Sequence, residues 1–94
     1  MKISYSKHAI NKINERKIDK EWIEKILQNP EMIYYDFVNR TFIAISKIKI
    51  KENETHLVLI YTKEEDVIKV VTVYPCKNIE KEIRNKEGHR WVRI

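Results

Sequence analysis

His8, Lys12 and Arg16 stand four residues apart in the opening stretch K-H-A-I-N-K-I-N-E-R-K-I, which runs from Lys7 to Ile18. On a helix that spacing sets the three side chains in one slowly drifting stripe. Ala9, Ile10 and Ile13 form a separate apolar face beside it. Imidazole is the side chain suited to proton transfer near neutral pH, and flanking cations hold phosphate. With Lys7 beside it, the stripe reads as a phosphate-handling edge; an ordinary solvated flank has the same composition. Near the other end, Arg90, Trp91 and Arg93 place an indole between two guanidinium groups. That grouping suits nucleic-acid contact through stacking and cation–π attraction. It equally suits a tail anchored to the body by its Trp. Tyr74 ends an apolar run beside Thr72. It suits base stacking, proton donation or packing at a core edge.

Charge is placed as unevenly as these residues. The net charge is +5, with a balance of +4 in residues 1–20, −3 in 21–66 and +4 in 67–94. If the two basic ends meet in the fold, they make a positive patch for a nucleic-acid backbone. Ninety-four residues make one domain, spanning 1–94, with 43% hydrophobic and 35% charged residues. No apolar run approaches the roughly 20 residues of a membrane span, and the start M-K-I-S-Y-S-K has no apolar signal segment. The expectation is a cytoplasmic protein without a membrane partner. Cys76 is the only cysteine, which excludes an internal disulfide and a thiolate-rich zinc site. Three scattered histidines have no metal-ligand spacing, so neither a metal nor a cofactor is expected. His56 reads as a strand-surface residue, and Glu64, Glu65 and Asp66 as a solvated turn. The Lys-, Glu- and Ile-rich composition with one Gly leans toward a thermophile.

The elements that must position these residues follow from periodicity. Ser6 is an N-cap for a helix running to about Lys17. Asp19 caps a second helix with Trp22, Ile23, Ile26 and Leu27 on its apolar face, and Pro30 stops it. From Met32 the period becomes two, giving strands at about 32–37, 41–50, 55–62 and 67–74. Short polar connectors force antiparallel neighbours. The fold class is therefore α+β: an N-terminal αα hairpin packed on a four-stranded antiparallel meander. A short helix after Asn78 follows, with Gly88 at its left-handed end. The final H-R-W-V-R-I is an extended segment laid on the body or a partner-binding tail.

This order resembles the RelE/ParE superfamily, and within it an uncharacterised bacterial and archaeal domain family. Its members open with H-A-x-x-R-x-x-x-R-G-I-S, end the second helix in N-P and close the last strand with V-x-T-V-Y. The matching positions are His8, Ala9, Arg16, Ile18, Asn29, Pro30, Val71, Thr72, Val73 and Tyr74. Gly88–Ile94 resembles a G-R-W-V-K-I ending. Lys12 stands where Arg is usual, and Lys17 where Gly is usual. The resemblance implies a RelE-like fold and a toxin-type, metal-independent endoribonuclease acting on mRNA, on or off the ribosome. It also implies an antitoxin-like protein partner. In that chemistry the RNA 2′-hydroxyl attacks the adjacent phosphorus, helped by a base, an acid and cations. The implied catalytic set is His8, Arg16, Tyr74 and Arg40, the last at the start of the second strand, where such nucleases place a phosphate-binding cation; following a V-N turn, Arg40 equally suits a surface hairpin residue. Lys7, Lys12, Arg16, Arg90, Trp91 and Arg93 are the implied RNA contacts. The rival is a non-catalytic nucleic-acid-binding or protein-interaction module on the same fold, favoured by the lack of an unmistakable acid–base pair. An exposed meander edge offers a surface for a second copy or a partner's segment.

Overall fold

The computed structural model describes residues 2–94. The described chain opens with a strand absent from the sequence reading, β1 (Lys2–Tyr5). Then come α1 (Lys7–Arg16), α2 (Lys20–Gln28), β2 (Met32–Asp36), β3 (Thr41–Ile50), β4 (Asn53–Glu64), β5 (Val67–Cys76), α3 (Ile79–Lys86) and β6 (Trp91–Arg93). The sheet is not a four-stranded antiparallel meander. It is six-stranded and mixed, in the order β1-β5-β4-β3-β2-β6. β2 to β5 do pair antiparallel in succession, as short connectors require. β1 adds parallel to the outer side of β5, and β6 adds antiparallel to the outer side of β2. A parallel partner must be distant along the chain, so connector length carries no trace of β1.

Local chemistry sets the helix ends. The Ser6 hydroxyl accepts from the Ala9 N–H at 3.0 Å and caps α1. At its other end Lys17 takes the left-handed conformation (φ 53°, ψ 47°). Its N–H bonds the Asn14 carbonyl, and the Ile18 N–H bonds the Ile13 carbonyl. This is a Schellman ending, in which buried Ile18 and Ile13 supply the accompanying apolar contact. Lys17 thus occupies the position where the resemblance has Gly, at the cost of its Cβ. Asp19 then caps α2 by accepting the Glu21 N–H. Gly88 has the expected positive φ of 82°, one residue past the Glu87 cap of α3.

Both sheet faces are covered. α1, α2 and the turn between them place Ala9, Ile13, Ile18, Ile23 and Ile26 on one face, against residues such as Leu57, Leu59, Val70 and Val73. On the other face Ile79 and Ile83 of α3 pack with Ile43, Ile45, Val58, Tyr34 and Trp91. β5, between β1 and β4, contributes to both cores, which explains its apolar character on both sides. A bulge between Ile60 and Tyr61 shifts the β4–β5 register.

One buried carboxylate closes the far side of the sheet. Asp36, 2% exposed, ends β2. Its Oδ1 accepts from the Val38 and Asn39 N–H groups, both at 2.9 Å. Its Oδ2 accepts from Asn39 Nδ2 at 3.2 Å and from Arg90 Nε and Nη2 at 3.1 and 2.8 Å. The Phe37 N–H bonds the Arg90 carbonyl, which sets β6 against β2. Burial alone would raise the Asp36 carboxyl. The Asn39 and Val38 N–H groups and the Arg90 guanidinium outweigh it and hold the group below its ordinary 3.8.

Removing one partner of such a pair is expected to cost about 3 kcal/mol in urea unfolding, for Asp36→Ala and Arg90→Ala alike. Because the folded carboxyl titrates low, its contribution is complete above the ordinary value and fades as pH falls through the folded one. Wild-type stability should therefore drop below about pH 5, and Asp36→Asn should flatten that slope. Lys17→Gly removes the left-handed penalty and should raise stability by about 1 kcal/mol, or Tm by roughly 4 °C, in a thermal melt.

Candidate nucleic-acid interface

β1 ends where Tyr5 faces Val70, so β5 from Val71 to Cys76 has no strand on its outer side. α1 runs beside this open stretch. The Ser6 N–H bonds the Val70 carbonyl, and the Ser6 hydroxyl donates to the Val71 carbonyl at 2.8 Å. Arg16 Nη1 donates to the Val73 carbonyl at 3.1 Å. Val73 therefore turns its main-chain polar groups away from β4. Two residues on, Pro75 presents the same side, where a missing N–H removes no ladder bond. The open edge is thus blunted by a hydroxyl, a guanidinium and a proline.

The stripe read from the sequence lies along this edge, with corrections. Ala9 and Ile13 are buried, but Ile10 is 42% exposed and does not join the apolar face. Lys7 and His8 are exposed. Lys12 is half-buried, with its ammonium 3.4 Å from the Glu15 carboxylate. Arg16 has one nitrogen committed to Val73 and an otherwise exposed side chain. One imidazole and three cations therefore follow one another along α1.

The other candidates lie elsewhere. Tyr74 pairs with Val58, which pairs with Ile45, and its ring joins the core under α3, on the face opposite α1. Burial, reinforced by the Glu82 carboxylate, pushes its phenol well above 10, so it stays protonated at every physiological pH. Such a phenol donates a proton or a hydrogen bond and does not act as a base. Arg40 is exposed and closes the β2–β3 hairpin in a left-handed conformation (φ 57°). It lies two strands across from Tyr74 and five residues further along, about 20 Å away between Cα atoms. The two do not share a site in this structure.

Trp91 is 2% exposed, its ring 5.6 Å from that of Tyr34, and it is no platform for a base. It is the anchor of β6. Arg90 is taken up by Asp36, and Arg93 faces Tyr34 across the β2–β6 pair. β6 and β1 are opposite edges of the sheet, five strand spacings or about 24 Å apart. The basic tail therefore does not merge with the α1 stripe into one patch. Among the described residues, no three His, Cys, Asp or Glu side chains are grouped to hold a metal ion.

Asp36 is the residue that sequence reasoning missed. Its signal was D-x-x-N at a hairpin start, the pattern of an Asx turn whose carboxylate accepts the following N–H groups. The Arg16–Val73 bond gives a test of what the stripe does for the fold. Arg16→Ala should cost about 1 kcal/mol in a thermal melt. Lys12→Ala and Lys7→Ala should stay within about 0.5 kcal/mol of wild type.

No curated protein and no solved structure matches the chain. Residues 5–83 do match one family, and that span takes in α1, α2, the strands β2 to β5 and the start of α3. By this match the chain belongs to the family described as Domain of unknown function (DUF4258).

Proposed function

We propose that the protein is RNA-directed, of the RelE-like toxin class, and that its working surface is the α1 stripe beside the open edge of β5. The observation that carries this reading is the succession of Lys7, His8, Lys12 and Arg16 along α1, the last three on one flank. The last three are spaced about 6 Å apart along the axis. Arg16 is held in place by the Val73 carbonyl. An ordered cation row of this kind tracks a phosphodiester backbone, and the imidazole at its head adds proton transfer.

As a metal-independent endoribonuclease, the site has the RNA 2′-oxygen form a bond to phosphorus while the bond to the 5′-oxygen breaks. His8 takes the 2′-proton, Lys12 and Arg16 offset the charge of the pentavalent centre, and the 5′-oxygen leaves with a proton from solvent. The toxin-class reading carries with it a cytoplasmic location and an antitoxin-like protein partner. The second reading is a non-catalytic RNA-binding module. It is favoured by the separation of Arg40 from Tyr74 and by the turn of Tyr74 toward α3.

RNA incubated with wild type and His8→Ala, with and without ribosomes, decides between them. Wild-type cleavage that falls at least about a hundredfold in the folded variant supports the ribonuclease, because acid–base groups contribute that much. Intact RNA in every arm, with binding that weakens steeply with salt, supports the module. In that case Lys12→Ala should lower the salt slope by about one. Absence of binding at low salt sinks both.

A further inference from the structure

A second edge of the sheet is open, and among the described residues only Glu31 bonds to it. β2 pairs with β3 only from Thr41 to Ile45, so Ser46 to Ile50 have no strand on the outer side. The Glu31 N–H bonds the Ile45 carbonyl, and the Glu31 carboxylate accepts the Lys47 N–H at 3.2 Å. Residues 45, 47 and 49 therefore turn their main-chain groups outward, away from β4. The Lys47 carbonyl and both polar groups of Lys49 remain for a partner.

Between this edge and α2 lie three adjoining hollows of about 270, 370 and 170 Å³, and Trp22 and Ile48 line all of them. The two sides of the edge differ in chemistry. On the helix side half-buried Trp22 and Ile50, 37% exposed, form the apolar surface, over Ile26 and Ile48, which are buried in the core. On the other side Lys47 and Lys49 project from β3, both exposed. Lys25 and Lys51 stand at the groove, and no carboxylate among the described residues lies within ion-pair distance of Lys25, Lys49 or Lys51. Three carboxylates share the region, each already engaged. Asp19 caps α2, Glu31 holds the Lys47 N–H, and Glu54 lies 3.7 Å from the Lys47 ammonium in a well-exposed pair worth little.

We infer that this edge takes an extended polypeptide segment of alternating apolar and acidic residues, which adds as a short strand beside Lys47–Lys49. Side chains of a strand alternate between faces, so one set meets Trp22 and Ile50 while the other meets Lys47 and Lys49. Polypeptide rather than RNA fits because the edge offers two carbonyl acceptors for one N–H donor. A strand supplies the matching donors; phosphate supplies only acceptors and is repelled by carbonyls. This inference is independent of the RNA reading, which concerns the outer edge of β5, across β4.

The test uses a synthetic ten-residue peptide alternating Val and Glu. Its controls are the same residues in two blocks and a single-stranded RNA decamer. The alternating peptide should bind and slow hydrogen exchange at the Lys49 amide. Lys49→Pro removes the outward donor without breaking a bond to β4, and should weaken binding about tenfold while the protein stays folded. Lys49→Glu keeps the donor and reverses the charge, and should weaken it as well. Absence of binding, equal binding of the block peptide, or unchanged Lys49 exchange overturns the inference. So does RNA protecting the Lys49 amide in the peptide's place.

Discussion

The Asp36 carboxylate decides which parts of this chain are structure and which remain for other work. A buried negative charge is tolerated only when its lone pairs are met, and here two backbone N–H groups, an amide and a guanidinium meet them. Meeting them bends residues 36–40 into a hairpin turn and brings Arg90 to the end of β2. Once Arg90 is there, Trp91 falls against Tyr34, β6 gains its ladder, and the core under α3 is closed at that side. A residue pair that looks in sequence like half of an RNA-binding tail is thereby consumed by the fold. What is left for chemistry lies at the opposite edge.

That opposite edge shows how the same physics leaves a surface exposed. β5 needs cover on both faces because both are apolar, and α1 and α3 provide it. β1 covers its outer side for only four residues, from Val67 to Val70. Beyond them the carbonyls of Val71 and Val73 need donors, and the chain supplies Ser6 and Arg16 instead of more strand. The requirement to satisfy two carbonyls holds α1 close along the open edge. His8 and Lys12, on the same side of that helix as Arg16, are displayed there as a consequence. A structural need and a cationic row share one residue, so sequence type alone cannot separate the solvated flank from the phosphate edge.

Much of the frame was legible because its signals are local. Ser6, Asp19 and Asn78 all cap the helices they precede, and period-two runs mark β2 to β5. β1 was not legible, and β6 was legible only as an extended segment laid on the body or a partner-binding tail; four residues and three residues carry too little pattern to name partners that lie over sixty and over fifty residues away. Lys17 was read as a departure from a glycine pattern, and the chain simply pays the left-handed penalty there, as it does at Arg40, Lys51 and Glu65. The candidate site was legible only as residue types. His8, Lys12 and Arg16 do share a flank, because four-residue spacing on a helix fixes that. Arg40 and the tail do not join them, because their placement depends on strand order, which no local signal reports; Tyr74 lies on β5 beside the stripe, but its ring turns to the α3 face.

Strand order also bears on how the two proposed surfaces relate. The β5 edge is closed to further strands by Ser6, Arg16 and Pro75, which take or lack the groups a new strand would need. The β3 edge keeps its free carbonyls and N–H, with only Glu31 standing in at Lys47. One edge is therefore built to refuse a strand and present cations, the other to accept one. β4 and β5 separate β3 from the α1 flank, so an occupant beside Lys47–Lys49 does not cover His8 directly. Any influence of such an occupant on the α1 stripe has to pass through the shared core, where α1 and α2 rest on the same sheet face. Ile18, in the turn between the helices, and Ile23, on α2, are both buried in that core and link the two.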